Sequence, residues 1–256
     1  MKDYQKGVVF RNKMIISWFS AGVSSAVATK KSIEKWDNVQ VCYIHIDSQH
    51  PDTMRFVMEC EKWFGRKITI LQSNYKTIID VFRQFRYING VAGAKCTGIL
   101  KKRVRLEYEQ DLFVRENSKN IEYIWGYDLS EKHRADRVLE TMPQYSHRFP
   151  LIEEKIAKKE AHFIIEKAGI KRPAMYELGY NNNNCIGCVK GGKGYWNKIR
   201  KDFPEQFSEM AKVEREVGAS CINGTYLDEL KEGEGRHDIK IIAECDLLCQ
   251  MKEEDK

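Results

Sequence analysis

Two kinds of side chain in this sequence are spaced for chemistry: thiols, and a run of small hydroxylated residues. Cys185-Ile186-Gly187-Cys188 is a Cys-x-x-Cys pair on a glycine-bearing turn. That geometry swings two thiolates onto one ion or onto each other. Cys96 opens Cys96-Thr97-Gly98-Ile99-Leu100-Lys101, and Cys221, Cys245 and Cys249 follow in the C-terminal part. In a reducing compartment such a set points to metal or redox chemistry more than to disulfides. Thiolate-only ligation suits a [4Fe–4S] cluster, with zinc or simple redox or structural thiols as alternatives. Cys42 and Cys60 lie inside apolar patterns and are expected in the core.

The hydroxylated run is Ser20-Ala21-Gly22-Val23-Ser24-Ser25. Apolar residues 14–19 lead into it, and Val23, Ala26, Val27, Ile33 and Trp36 continue as one helical face. Strand, tight turn and helix present backbone N–H groups and a helix N-terminus to a phosphate. The run has neither the Gly-Lys-Ser/Thr of a Walker A loop nor Gly-x-Gly-x-x-Gly. An ordinary serine-capped turn is the alternative reading.

Charge is distributed to match. Residues 95–105 hold Lys95, Lys101, Lys102, Arg103 and Arg105 with no acid, and residues 190–201 hold Lys190, Lys193, Lys198, Arg200 and Lys201 with no acid. Each stretch lies beside a cysteine, so a shared anionic site is expected, against two solvated basic faces. Residues 191–200 also mix aromatic with basic side chains on a glycine-rich loop, which suits base stacking or a lid over a nucleotide.

These residues need a scaffold. Strands are expected at 14–19, 39–46, 67–72 and 121–126, with a short extended piece at 147–152 and an arm near Val8–Phe10. The second strand is apolar nearly throughout, as in a parallel sheet covered on both faces. Helices are expected to about Trp36, at 53–64, 99–115, 156–168 and 204–217, with Gly65 ending the second. Residues 90–98 and 127–137 read as loops. Alternating strands and helices give an α/β fold with a parallel sheet, whose ligands bind at the strands' carboxyl ends. The polar clusters after strands one, two and four then share one crevice.

Several of these motifs together resemble a known group. Ser20–Ser25 resembles the Ser-Gly-Gly-x-Asp-Ser pyrophosphate loop (PP-loop) of ATP pyrophosphatases and phosphoadenylyl-sulfate (PAPS) reductases. Ala21 replaces a glycine of that pattern and Ser24 its Asp. Tyr43–Phe56 looks like the group's second-strand motif, which implies that Asp47 contacts ribose or adenine; Asp52 reads as a helix N-cap. Cys96–Lys101 resembles Cys-Thr-x-x-x-Lys, and Gly126 to Arg134 resembles Gly-x-x-x-x-Glu-x-x-Arg. The chain is thereby similar to the PAPS reductase-like branch of the adenine nucleotide alpha-hydrolases over about residues 14–200.

The resemblance implies a Rossmann-like, twisted parallel sheet of five or six strands flanked by helices, with a Cys-rich C-terminal segment. Residues 1–180 would form the nucleotide-binding domain and 181–256 the Cys-rich segment packed on it. Ser20, Ala21, Gly22, Val23, Ser24, Ser25, Asp47 and Gly126 would hold the nucleotide. Cys96, Lys101 and Arg134 would act on it, with Arg137 as a further phosphate or sulfate contact. Cys96, Cys185, Cys188 and Cys221 would hold the cluster, with Cys245 and Cys249 as alternatives to Cys221.

Two reactions are implied. One uses ATP, with or without Mg2+, to adenylate an acceptor in a nucleic acid or nucleoside before sulfur transfer from a sulfur donor. The other takes PAPS or APS (adenylyl sulfate), forms an S-sulfocysteine on Cys245 or Cys221, and releases sulfite with a thioredoxin-like reductant. A nucleotide-binding regulator that lost turnover is a third reading, and a homo-oligomer is left open.

Bulk properties bound the rest. At 256 residues, 42% apolar and 31% charged, the chain suits one large soluble domain or one with an appendage. No apolar run is long enough to span a membrane, and the first residues do not read as a secretory leader. The expected location is the cytoplasm.

Overall fold

The computed structural model describes residues 14–90, 93–116 and 121–236. The arm near Val8, Cys245 and Cys249 lie outside them. In chain order the elements are β1 (Met14–Trp18), α1 (Val23–Lys35), β2 (Val39–His45), α2 (Asp52–Phe64), β3 (Ile68–Gln72) and α3 (Ile78–Phe85). A short helix α4 (Lys95–Thr97) then runs through a π-helical turn (Gly98–Lys102) into α5 (Arg103–Glu116). Next come β4 (Ile121–Ile124), a 3-10 turn (Leu129–Glu131), α6 (Lys132–Thr141), β5 (Ser146–Arg148), α7 (Pro150–Glu153) and α8 (Lys158–Lys167). The C-terminal part is α9 (Ala174–Glu177), α10 (Lys193–Asp202), α11 (Pro204–Val217) and a 3-10 turn (Leu227–Glu229).

All four strand pairings are parallel, in the order β3-β2-β1-β4-β5. The chain winds outward from β1 through β2 to β3, then crosses to β4 on the other side of β1. That reversal opens a gap beyond the carboxyl ends of β1 and β4, where doubly wound sheets bind ligands. Ile15, Ile16, Val41, Cys42, Tyr43 and Tyr123 are buried because helices cover both faces. One face packs on α1, α2 and α8, the other on α5 and α6. A third cluster joins α3 and the Cys96 segment to residues 175–230. Cys42 and Cys60 are fully buried, as their apolar surroundings require.

Several local expectations change. Residues 127–137 are not a loop: the Asp128 carboxylate accepts the Ser130 N–H at 2.9 Å, capping the 3-10 turn that leads into α6. Pro150 starts α7 where extended chain was expected, because its fixed φ suits a first helical position. Residues 90–98 already turn helical at Lys95, and the expected helix from Ile99 begins as a π turn. Residues 193–202 form α10, which buries Tyr195, Trp196 and Ile199 on one face. Asp52 is not the N-cap of α2; that position is Pro51, and Asp52 instead accepts the Ala174 N–H at 2.8 Å.

Candidate functional site

The Ser20–Ser25 turn is built around one hydroxyl. Ser25 Oγ accepts the N–H groups of Ser20 and Gly22, each at 3.2 Å, and donates to the Gly22 carbonyl at 2.9 Å. Ala21 takes a left-handed φ of 58°. There an alanine Cβ costs about 1–2 kcal/mol, and this accounts for a glycine at that place in the resembling pattern. Asn183 holds the strained residue by donating from Nδ2 to the Ala21 carbonyl at 2.9 Å. The Val23 N–H reaches Tyr176 Oη at 3.3 Å. Ser24 Oγ is buried with no hydrogen-bond partner.

This turn forms one wall of a crevice of about 850 Å³, part of it open to solvent. Ser20, Gly22 and Ser25 line it from the α1 side, and Ile44 and Gln49 line it from the end of β2. Trp125, Gly126 and Tyr127 close it from the end of β4, with Trp18 and Phe19 from β1. Asn182, Asn183, Asn184 and Cys185 cover it from the C-terminal part, and Lys101 projects from the π turn. Such turns recur where a helix must re-aim a functional side chain.

The Cys-x-x-Cys loop is fastened to this crevice. Its Ile186 N–H bonds the Ser48 carbonyl at 2.8 Å, and Gln49 and Cys185 form a β-bridge. Tyr195 Oη accepts the Cys188 N–H at 2.8 Å and donates to the Cys185 carbonyl at 3.4 Å. Gly187 sits at φ 75° against the Trp196 ring, where a side chain would be strained.

Cys96, Cys185, Cys188 and Cys221 all pack into the third core cluster, 6–8% exposed. None of the six described cysteines is in a disulfide. Burial, then Glu214, then Cys188 and Cys96 push the Cys221 thiol well above its ordinary range. A buried, all-thiol donor set fits iron–sulfur or zinc in chemistry. Among the described residues, however, no three His, Cys, Asp or Glu side chains are arranged to hold a metal ion.

The remaining predicted residues fall elsewhere. Asp47 does not line the crevice; its Oδ1 is engaged by Gln72 Nε2 at 2.7 Å and by His45 Nε2 at 3.1 Å. Arg134 pairs with Glu131, lies 4.4 Å from the Tyr127 ring centre and is not among the residues lining the crevice. Arg137 lies on α6. The aromatic and basic residues of 191–200 do not form a stacking platform. Tyr195 and Trp196 are buried, Lys193 pairs with Glu234, and Lys198 pairs with Asp202. Arg200 donates to the Leu227 and Leu230 carbonyls.

Trp18, Trp125, Tyr127 and the Asn182–Asn184 amides were not expected as lining residues. The alternation of Tyr123, Trp125 and Tyr127 was the available signal for the β4 members.

No protein-family model matches the chain. It is 24% identical over 212 residues to the uncharacterized protein MJ0066 of Methanocaldococcus jannaschii, which covers 80% of this chain. The chain spans 42% of that relative's own length. Among solved structures it is similar to the phosphoadenylyl-sulfate (PAPS) reductase of Candida auris, in a phosphate complex. That similarity has a TM-score of 0.45 and 14% identity over 70% of this chain and 83% of the other. No helix among the described residues is long and apolar enough to cross a membrane.

Proposed function

We propose that the crevice binds an adenine nucleotide and that the chain is a PAPS reductase-like enzyme of adenylation-linked sulfur transfer. The observation that carries this reading is that the Ser20–Ser25 turn, Lys101 and Cys185 line one cavity. An anion-binding turn, an ammonium and a thiol are thereby held within reach of one bound molecule.

In this reading an acceptor oxygen of a nucleic acid or nucleoside attacks the α-phosphorus of ATP, and pyrophosphate leaves. A sulfur nucleophile then attacks the adenylated carbon, and AMP leaves with the oxygen. The chain's contribution is positioning and charge neutralisation. The α1 N-terminus and Lys101 receive phosphate charge, and the asparagine-rich cover limits water. Cys96, Cys185, Cys188 and Cys221 suit a [4Fe–4S] cluster in chemistry but are not arranged around one ion, so no step is routed through a cluster and its presence is left to the test below.

Sulfite release from PAPS is less well supported. Burial pushes the Cys221 thiol up, which disfavours the thiolate that attack on sulfur requires, and the other nucleophile of that reading, Cys245, lies outside the described residues. Incubation with ATP and candidate RNA or nucleoside acceptors should release pyrophosphate, and Lys101→Met should reduce that release about tenfold or more without changing Tm. Sulfite from PAPS and reduced thioredoxin, with no pyrophosphate from ATP, overturns this reading in favour of the reductase. Protein purified without oxygen should be brown, with iron and sulfide that fall in Cys185→Ala. Colourless protein with stoichiometric zinc excludes the cluster.

A further inference from the structure

The tripeptide Ile-Asn-Gly occurs twice, as Ile88-Asn89-Gly90 and as Ile222-Asn223-Gly224. An asparagine followed by glycine is a step at which a chain can cyclise on itself, because no side chain shields the glycine nitrogen from the asparagine amide carbon. Along the sequence the two steps are equivalent. The fold makes them different.

At the first step the groups that would react are tied down. Asn89 is half-buried; its Nδ2 donates to the Val189 carbonyl at 3.3 Å, and its Oδ1 accepts the Gly90 N–H at 3.0 Å. That bond holds the glycine N–H on the oxygen, near the plane of the side-chain amide, whereas attack on the amide carbon comes from above that plane. The Tyr87 hydroxyl also crowds Gly90, 2.5 Å from where a Cβ would lie. At the second step nothing holds the groups. Asn223 and Gly224 are exposed on a two-residue turn, which the Thr225 N–H closes onto the Ile222 carbonyl at 3.0 Å. Among the described residues neither the Asn223 side chain nor the Gly224 N–H has a hydrogen-bond partner, and the space beside Gly224 is open. The turn also lies between two anchors. Glu214, fully buried, accepts the N–H groups of Cys221 and Leu227 on its two carboxylate oxygens.

We propose that Asn223 is a site of spontaneous deamidation and isoaspartate formation, and that the fold protects Asn89 from the same reaction. The Gly224 nitrogen gives its proton to hydroxide and bonds to Asn223 Cγ; the Cγ–Nδ2 bond breaks and ammonia leaves. The five-membered succinimide so formed takes up water. Opening at Cγ leaves aspartate. Opening at the backbone carbonyl leaves isoaspartate, whose main chain runs through the former side chain and is longer by a methylene group. No electrons change hands. The added atom falls between two N–H groups that share one buried carboxylate. Isoaspartate therefore strains the loop from Cys221 to Leu227, while aspartate only adds an exposed charge.

Incubation of the full chain in mildly alkaline buffer, followed by mass spectrometry of the tryptic peptides 87–95 and 216–231, tests this. In the folded protein Asn223 should deamidate about tenfold faster than Asn89 or more, because Asn89 must first give up two hydrogen bonds. In urea the two steps should react at rates within about threefold of each other, since only local sequence then acts. Isoaspartate, counted by methyl transfer from S-adenosylmethionine with an isoaspartyl methyltransferase, should build up in 216–231 as Tm falls by about 2–4 °C. Asn223→Ser should abolish that fall on incubation, and Asn223→Asp, which adds the charge without lengthening the chain, should keep the wild-type Tm. Equal rates at Asn89 and Asn223 in the folded protein overturn the proposal, as does an Asn223 that reacts only in urea. A Tm lowered as far in fresh Asn223→Asp as in aged wild type assigns the loss to charge and overturns the strain on the Cys221–Leu227 loop.

Discussion

Gly126 decides how closely β4 approaches the first turn of α1. A Cβ there would lie 2.4 Å from the Ser25 Cα and 2.9 Å from its backbone nitrogen. Neither atom can yield without moving the turn. Gly126→Ala is therefore expected to cost about 1–3 kcal/mol of stability and to weaken ATP binding, because the displaced residue is the hub of the turn. Differential scanning calorimetry with an ATP titration checks both effects. An unchanged Tm with unchanged affinity would mean that β4 and α1 are not in register at this point. At Ala21 the backbone and a buried methyl pull in opposite directions, and the Asn183 amide supplies what holds the left-handed turn. The Ser20–Ser25 turn thus depends on a residue 162 positions away in sequence.

At the scale of elements, what was legible followed from local pattern. Strands β1 and β2 are apolar runs covered on both sides, and α2 ends where Gly65 takes φ 64°. The failures share a cause: the deciding neighbour is distant. Gly194 inside α10 looks like a helix breaker, yet a Cβ there would lie 1.8 Å from the Arg236 carbonyl oxygen. The β4 aromatics look like ordinary core until β5 supplies His147, whose Nδ1 accepts the Trp125 indole N–H at 3.1 Å. Helix α8 shows the same dependence. His162 meets the Tyr176 ring edge-on at 4.9 Å, and Tyr176 Oη receives the Val23 N–H of the Ser20–Ser25 turn. Burial, helped by Arg172 and Lys158 and opposed by Glu177, lowers the His162 pKa from 6.5 to about 4. The unfolded chain therefore takes up this proton first as pH falls, so its contribution is complete above about pH 6.5 and is lost towards pH 4. The Tm of wild type should decline across that window, and His162→Phe should flatten the decline. An equal slope in both proteins would assign the acid sensitivity to other groups.

For the whole molecule, the two basic stretches show what a charge count along a chain leaves out. Of their ten lysines and arginines only Lys101 lines the crevice. Arg103 pairs with Glu107, Lys193 with Glu234 and Lys198 with Asp202, so folding delivers acids that the stretches themselves lack. The most buried pair formed by these stretches lies within α5. Arg105 and Glu109 are only 6% and 7% exposed, with Nη1 and Oε1 3.1 Å apart, and Tyr145 beside β5 donates to the same carboxylate at 3.4 Å. Burial raises the Glu109 pKa, and Arg105 opposes the rise. Removing one partner strands the other, because the lost attraction no longer offsets desolvation of the remaining charge. Glu109→Leu should therefore cost about 3–5 kcal/mol in urea unfolding, while Arg105→Met with Glu109→Leu should come within about 1 kcal/mol of wild type. A double-variant loss equal to the sum of the Glu109→Leu and Arg105→Met losses would show that the pair is not coupled.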